Sequence, residues 1–287
     1  MRIYGIDFTS APSRRKPICV AVCRLDGDRL IFERMGRLAS LDAFEAALQE
    51  PGPWVAGFDF PFTQSRTFLR NMNWPEDWLA YADFLIGMDG GKAQFRAALE
   101  DYKARREKGQ KEHFRSFEAG IGAASPQKLD YVPVALMQFA GVPRLKRAGV
   151  HLPGLCDGDP SRVAVEAYPG VAARGLIGKR PYKNDAKTKQ TLALAEARKD
   201  LLGALTGDEG RTYFDLTVQA PARLAEDPTG DAVDALLCAV QAAWAARLMR
   251  DAPERLDALD LSEGWIADPE VLKRLPRRGA YSAASIR

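Results

Sequence analysis

Trp54-Val55-Ala56-Gly57-Phe58-Asp59-Phe60 decides the reading of the fold. The run is apolar except for one acid near its end, and Pro51-Gly52-Pro53 breaks the chain just before it. Upstream, Leu41 to Gln49 has helical spacing, with Leu41, Phe44, Ala47 and Leu48 on one face and Ser40 placed as an N-cap. A helix that joins two strands of one sheet is a crossover, so residues 54–60 are predicted to pair in parallel with the sheet they rejoin. Toward the N-terminus, Arg2 to Phe8, Pro17 to Leu25 and Arg29 to Leu38 read as strands. Asp26-Gly27-Asp28 carries a Gly-centred turn signal that makes the second and third antiparallel neighbours. Three strands, a helix and a fourth strand predict an α/β chain with a mixed β-sheet flanked by helices.

Past Pro61 the pattern changes. Aromatic helices around Trp74, Trp78 and Phe84, a glycine turn at residues 87–91 and a basic run predict a helical insertion over residues 63–160, within a single domain spanning 1–287. Sheet character returns at Arg162 to Tyr168. A long helix is expected from Lys187 to about Leu205, and a last short strand or irregular link at Asp215 to Val218. A small-residue helix then opens with Gly230-Asp231-Ala232-Val233-Asp234, for which Thr229 reads as the N-cap. Residues three apart on a helix are neighbours, so Asp231 and Asp234 share the stripe that continues through Ala235, Cys238 and Ala242.

The chain has 287 residues, 46% hydrophobic and 28% charged, which suits a globular domain with a sizeable core. Its N-terminus meets an acid at Asp7 before any long apolar run, so neither a secretory signal nor an anchor is expected. Residues 233–249 read as too short and polar to span a bilayer, so no membrane is expected. Cys19, Cys23, Cys156 and Cys238 lack metal-site or disulfide spacing, which fits a reducing cytoplasm. A net charge of +3 does not by itself indicate nucleic acid. Lys103, Arg105, Arg106, Lys108, Lys111 and Arg115 do crowd one segment, which reads either as a solvated helix face or as a phosphate-contacting patch. Lys183, Lys187 and Lys189 carry the same two readings.

In open α/β sheets, ligand sites form at the carboxyl ends of the strands. That rule selects Asp7, Asp59 and Glu166, each an acid among apolar neighbours at a predicted strand end. Acids are disfavoured in strands, and a buried carboxylate needs a cation, a partner or a proton. Three such acids plus Asp231 and Asp234 are most simply explained by a shared divalent-metal site. Carboxylate oxygens suit Mg²⁺ or Mn²⁺ better than Zn²⁺, and the two histidines, His113 and His151, both fall in the insertion.

The order of a strand-one Asp, a strand-four acid and a late helical Asp-x-x-Asp resembles the ribonuclease H-like superfamily, in particular RuvC-type junction resolvases. Phe58-Asp59-Phe60-Pro61, Glu166-Ala167-Tyr168-Pro169, Asp231-Ala232-Val233-Asp234 and Glu263-Gly264-Trp265-Ile266 resemble the successive motifs of domain-of-unknown-function family number 429, described as predicted RNase H-like nucleases. The resemblance implies a ribonuclease H-like sheet and metal-dependent hydrolysis of phosphodiester bonds in DNA or RNA. It implies Asp7, Asp59, Asp231 and Asp234 as ligands of Mg²⁺ or Mn²⁺, with Glu166 as a further ligand or water-orienting base. Arg105, Arg106, Lys111 and Lys183 are the expected nucleic-acid contacts. The chain departs from the superfamily at bulky Phe8, which is expected to narrow the site, and at Asp59, where RuvC-type enzymes carry the longer Glu. Two other readings are an actin-like or sugar-kinase-like ATP phosphotransferase, for which the glycine-rich and adenosine motifs are missing, and a non-catalytic nucleic-acid or nucleotide binding module on the same fold.

Overall fold

The computed structural model describes residues 1–184 and 186–279. Strands β1 (Arg2–Asp7), β2 (Ile18–Asp26) and β3 (Arg29–Leu38) form the expected antiparallel meander. Asp26 pairs with Arg29, so Gly27 and Asp28 alone make the turn, and Gly27 takes the left-handed backbone (φ 61°) that such a tight hairpin needs. The Ser40 hydroxyl accepts from the Ala43 N–H at 3.1 Å and starts α1 (Leu41–Ala47). This helix crosses over to β4 (Trp54–Phe58), which pairs in parallel with β1.

Between β4 and the next long strand come α2 (Arg66–Met72), α3 (Trp78–Ile86), α4 (Gly91–Ala104), α5 (Val134–Ala148) and the two-residue β5 (Val150–His151). Trp74 lies in the loop between α2 and α3 rather than on a helix, and packs against Phe84 and Phe95. The expected insertion thus ends by adding an edge strand to the sheet. Then follow β6 (Asp159–Glu166), α6 (Pro169–Ile177), α7 (Leu192–Thr206), α8 (Asp208–Phe214), β7 (Thr217–Gln219) and α9 (Asp231–Asp251). The helix predicted from Lys187 begins five residues later, because residues 187–189 form only a 3-10 turn and the Thr191 hydroxyl caps α7. The side chain of Lys187 lies outside the described residues.

The strands form one mixed sheet in the order β5-β6-β4-β1-β2-β3-β7. Among the described residues, β2 alone runs against its neighbours. Side chains alternate across the sheet, so each face has its own core. Ile3, Val55, Val163 and Val165 join α6, α7 and α9 on one side. Ile6, Phe8, Phe58 and Ala164 join α1 to α5 on the other.

Helix α9 is apolar around its whole circumference, and Val233, Leu236, Leu237 and Val240 have no exposed surface. On length and composition it passes as a membrane span, contrary to the sequence reading, yet 83% of its apolar window is buried inside this fold. Its backbone lies almost on the sheet. A Cβ added at Gly5 would stand 2.0 Å from the Ala235 carbonyl oxygen and 2.2 Å from the Ala239 nitrogen, and one added at Gly57 would stand 2.3 Å from the Cys238 oxygen. Only glycine permits that approach.

Gly5→Ala should therefore cost about 3 kcal/mol or more, the upper end of overpacking effects, because backbone rather than a movable side chain blocks the methyl. Gly203→Ala, in α7 with open space around the new methyl, should stabilise by about 0.5–1 kcal/mol through helix propensity. Urea denaturation of both variants measures the contrast, and a Gly5→Ala protein as stable as the parent would refute the close approach.

Candidate metal centre

Asp7 ends β1, and Asp59 follows the last residue of β4. The Asp59 N–H donates to the Ile6 carbonyl at 3.0 Å, which continues the parallel ladder and sets the two acids side by side. By strand alternation Asp7 shares the face of Gly5, and Asp59 the face of Gly57, so both point toward α9. Cys19 is the antiparallel partner of Asp7 across β2. Asp231 is the first residue of α9, and Asp234 lies one turn further in.

The start of that helix differs from the predicted Thr229 cap. Gly230 takes the cap position with a left-handed backbone (φ 81°), and the Asp227 carboxylate accepts from the Ala232 N–H at 3.1 Å. Thr229 contributes by accepting from the Asp231 N–H at 3.3 Å and by donating to Asp227 at 2.8 Å. Asp227 thus satisfies one orphan donor of the helix end, and it also accepts from the Thr229 N–H at 3.1 Å.

Asp7, Asp59 and Asp231 line one narrow cleft together with Lys183, and its volume is about 90 Å³. The ligand atoms of Asp7, Cys19 and Asp231 lie within 4.8 Å of one another, a group able to hold a metal ion. Asp234 stands behind this wall with no exposed surface. The Tyr182 hydroxyl donates to one of its oxygens at 2.6 Å, and the Lys183 ammonium donates to the other. The structure thus brings three of the four aspartates to the cleft and gives the fourth two protein partners.

Burial pushes the Asp7 carboxyl well above the ordinary aspartate range; Lys183 opposes that rise, and Asp234, Asp59 and Asp231 reinforce it. Burial likewise pushes Asp59 up to about 7, again against the pull of Lys183. Asp231 is raised for the same first reason. Lys183 itself would be lowered by burial, but Asp234, Tyr182 and Asp7 hold its ammonium well above the usual lysine value. The Cys19 thiol is pushed up to about 12 by burial and by the neighbouring Asp7 and Asp231.

Phe8 is among the residues lining the narrow cleft, as expected, although its ring turns away from the acids. Its ring is buried against Phe44 and Phe60, at centroid distances of 5.0 and 4.7 Å, in the core on the other side of the sheet. Glu166 does not line the cleft. It shares the face of Ala164, opposite to that of Asp7 and Asp59, and both its oxygens bond the Arg115 guanidinium while one also accepts from the Phe62 N–H at 3.0 Å. This corrects its expected place beside the metal, and the parity of β6 is the reason. The expected basic patch also divides. Arg115 is 1% exposed and belongs to that buried pair, Arg105 bonds Asp101, and Arg106 donates to the Gln110 carbonyl at 2.6 Å while lying over the Tyr102 ring. Lys111 is exposed, and none of Arg105, Arg106 and Lys111 lines the cleft. Lys183 is there, but as a partner of acids rather than as an open phosphate contact.

Sequence reasoning missed Tyr182, Cys19 and Asp227 as parts of this centre. It also passed over Ser13-Arg14-Arg15-Lys16, the loop that follows the Asp7 strand, of which Lys16 lines the cleft. The signal for the loop was its position: cations just past a strand-end acid lie beside that acid. Among the other cleft residues is Tyr131, 99% exposed at its rim.

The family described as "Protein of unknown function (DUF429)" matches residues 5–256, and the chain belongs to that family. Comparison with curated proteins and with solved structures yields no match.

The raised Asp59 carboxyl sets a pH dependence. Its folded value of about 7 lies above the ordinary aspartate value, so the folded state keeps a proton that the unfolded state releases in between. The stabilisation is complete below roughly pH 4 and is lost as pH rises through 7. In a chelating buffer, Tm should fall between pH 5 and pH 8, and Asp59→Asn should flatten that fall while raising Tm at pH 8. Thermal scans across this window test the sign; a parent Tm that climbs would contradict it.

Proposed function

We propose that this protein is a divalent-metal-dependent nuclease of ribonuclease H-like fold that hydrolyses phosphodiester bonds of nucleic acid. One observation carries the reading: Asp7, Asp59 and Asp231, from two parallel neighbouring strands and a helix more than 170 residues later, meet in one cleft at the carboxyl ends of the strands. A mixed sheet with an acid ending its central β1 supports the fold assignment.

The donor set fits Mg²⁺ or Mn²⁺. Three carboxyl groups raised chiefly by burial, and further by neighbouring acids, would be stabilised as carboxylates by a cation, and hard oxygen donors suit these ions. The Cys19 sulfur lies within ligating distance of the Asp7 and Asp231 oxygens, but burial disfavours its thiolate, so the carboxylates are the readier ligands. A bound divalent ion in such a site lowers the pKa of water and stabilises the leaving oxygen. The chain's own residues do the rest. Asp7 and Asp59 are fixed by the sheet ladder and Asp231 by the helix cap, so the ligands need little reorganisation. Lys16, with Arg14 and Arg15 in the same loop, offers positive charge to a phosphate backbone lying across the mouth. Tyr131 offers an exposed ring on which a base can stack. The small cleft favours a backbone laid over it rather than an enclosed nucleotide triphosphate.

Cleavage of single-stranded, duplex and branched DNA and RNA with Mg²⁺ or Mn²⁺, against a chelator control, tests the proposal. Asp7→Asn should lower turnover about a hundredfold or more, since loss of even an outer-shell partner commonly costs 10–100-fold. Tyr131→Ala should raise KM by about 5- to 150-fold with little change in kcat, from about 1–3 kcal/mol of stacking per base. Cys19→Ser should leave metal affinity within about threefold if carboxylates alone bind the ion. Hydrolysis by Asp7→Asn equal to the parent would defeat the mechanism, and a parent inert toward every nucleic acid would favour the binding-module reading.

A further inference from the structure

We propose that Lys183 supplies the second positive charge of this centre, so that the aspartate cluster takes one divalent cation and not two. The inference rests on the metal-dependent reading above and specifies its ion count.

The lysine is built into its place. Its ammonium donates to Asp234, and its side chain lines the cleft beside Asp7, Asp59 and Asp231. Of the charges acting on each of those three carboxyls, Lys183 is the strongest favourable one. The backbone that carries it is pinned by Arg198, a guanidinium only 3% exposed, which donates to the Tyr182 carbonyl at 3.0 Å and to the Ala225 carbonyl at 3.1 Å. Tyr182 is fixed again through its hydroxyl on Asp234. The stem of Lys183 packs on Gly230, where an added Cβ would stand 3.0 Å from the Lys183 Cβ. Two buried side chains and a glycine therefore direct one ammonium into the acidic cluster, which is more construction than a solvated helix end requires.

Charge and space lead to the same count. Asp7, Asp59, Asp231 and Asp234 against the ammonium groups of Lys183 and Lys16 leave two negative charges when all are ionised. One divalent cation balances that excess, and a second would leave the cluster two charges positive just where Lys183 already stands. A second ion would also need Asp234, whose two oxygens are held by Tyr182 and Lys183. Among the described residues there is one group of ligating atoms close enough together for a metal, on Asp7, Cys19 and Asp231. The cleft of about 90 Å³ accommodates one partly hydrated ion.

Mn²⁺ stoichiometry, by titration calorimetry together with electron paramagnetic resonance, tests this without reference to activity. The full chain should bind one Mn²⁺ with an uncoupled six-line spectrum. Lys183→Met, which keeps the stem and removes the charge, should bind two with a spin-coupled spectrum, and Lys183→Arg should return to one. Two ions bound by the parent would overturn the inference and leave the nuclease reading standing. No ion bound would remove both. One ion in the parent and still one in a folded Lys183→Met would also overturn it, because the lysine would then not be what excludes the second. If Lys183→Met fails to fold, the double variant Lys183→Met/Asp234→Asn removes the buried charge with its partner; it should bind one ion with the parent's spectrum, and two would count against the inference.

Discussion

The fold depends on backbone meeting backbone where α9 crosses β1 and β4. Gly5 and Gly57 are neighbours in parallel register, and the helix rests on both. At that distance dispersion contacts are dense and no side chain holds the helix away from the sheet. Each strand then carries its acid two residues beyond its glycine, on the same face, and the helix carries its first acid at the end that lies over them. The convergence of Asp7, Asp59 and Asp231 is a geometric result of this docking. The alanines and the cysteine along the contacting stripe of α9 keep the docking possible along its length.

A second constraint works on the opposite side of the acids. Arg115 is buried with Glu118 and Glu166, and the Glu263 carboxylate accepts from the N–H groups of Arg66 and Ser116. Desolvating these charges is costly, and such clusters persist when their hydrogen bonds are well satisfied. The guanidinium makes bonds to both glutamates, and burial raises Glu118 less than it would without Arg115 beside it. This frame fixes the loop after Asp59 against the end of β6. The four recognised motifs therefore divide: Asp59 and the Asp231 helix build the cleft, while Glu166 and Glu263 hold the frame that supports it.

How much of this was legible follows from what each signal measures. Alternation with an acid at the end marks a strand and its exit, so Asp7 and Asp59 could be read directly, and the hairpin at Gly27 came with its turn chemistry. The spacing of Asp231 and Asp234 put them on one face but could not say which reaches the cleft, because α9 is apolar all round and periodicity gives no direction to such a helix. Lys183 meets Asp234 across 51 residues from a segment without periodicity, so nothing local announces the pair. Arg115 was hidden among cations that face solvent, and composition cannot tell the one buried guanidinium from its neighbours. The placement of Glu166 turned on the parity of β6, which the sequence contained but which the attraction of another acid obscured.

The position of α9 in chain order has a consequence for biosynthesis. Every strand of the sheet is made before the helix that covers its face, and 193 residues separate the end of β4 at Phe58 from the end of α9 at Asp251. At about 5–20 residues per second on the ribosome, the glycine-bearing face waits roughly 10–40 s for its cover. During that interval its apolar side chains and strand edges are open to solvent and to other nascent chains, a state prone to aggregation. Closure then comes in one late event, with the arrival of a single helix that completes the core and the acidic cleft together.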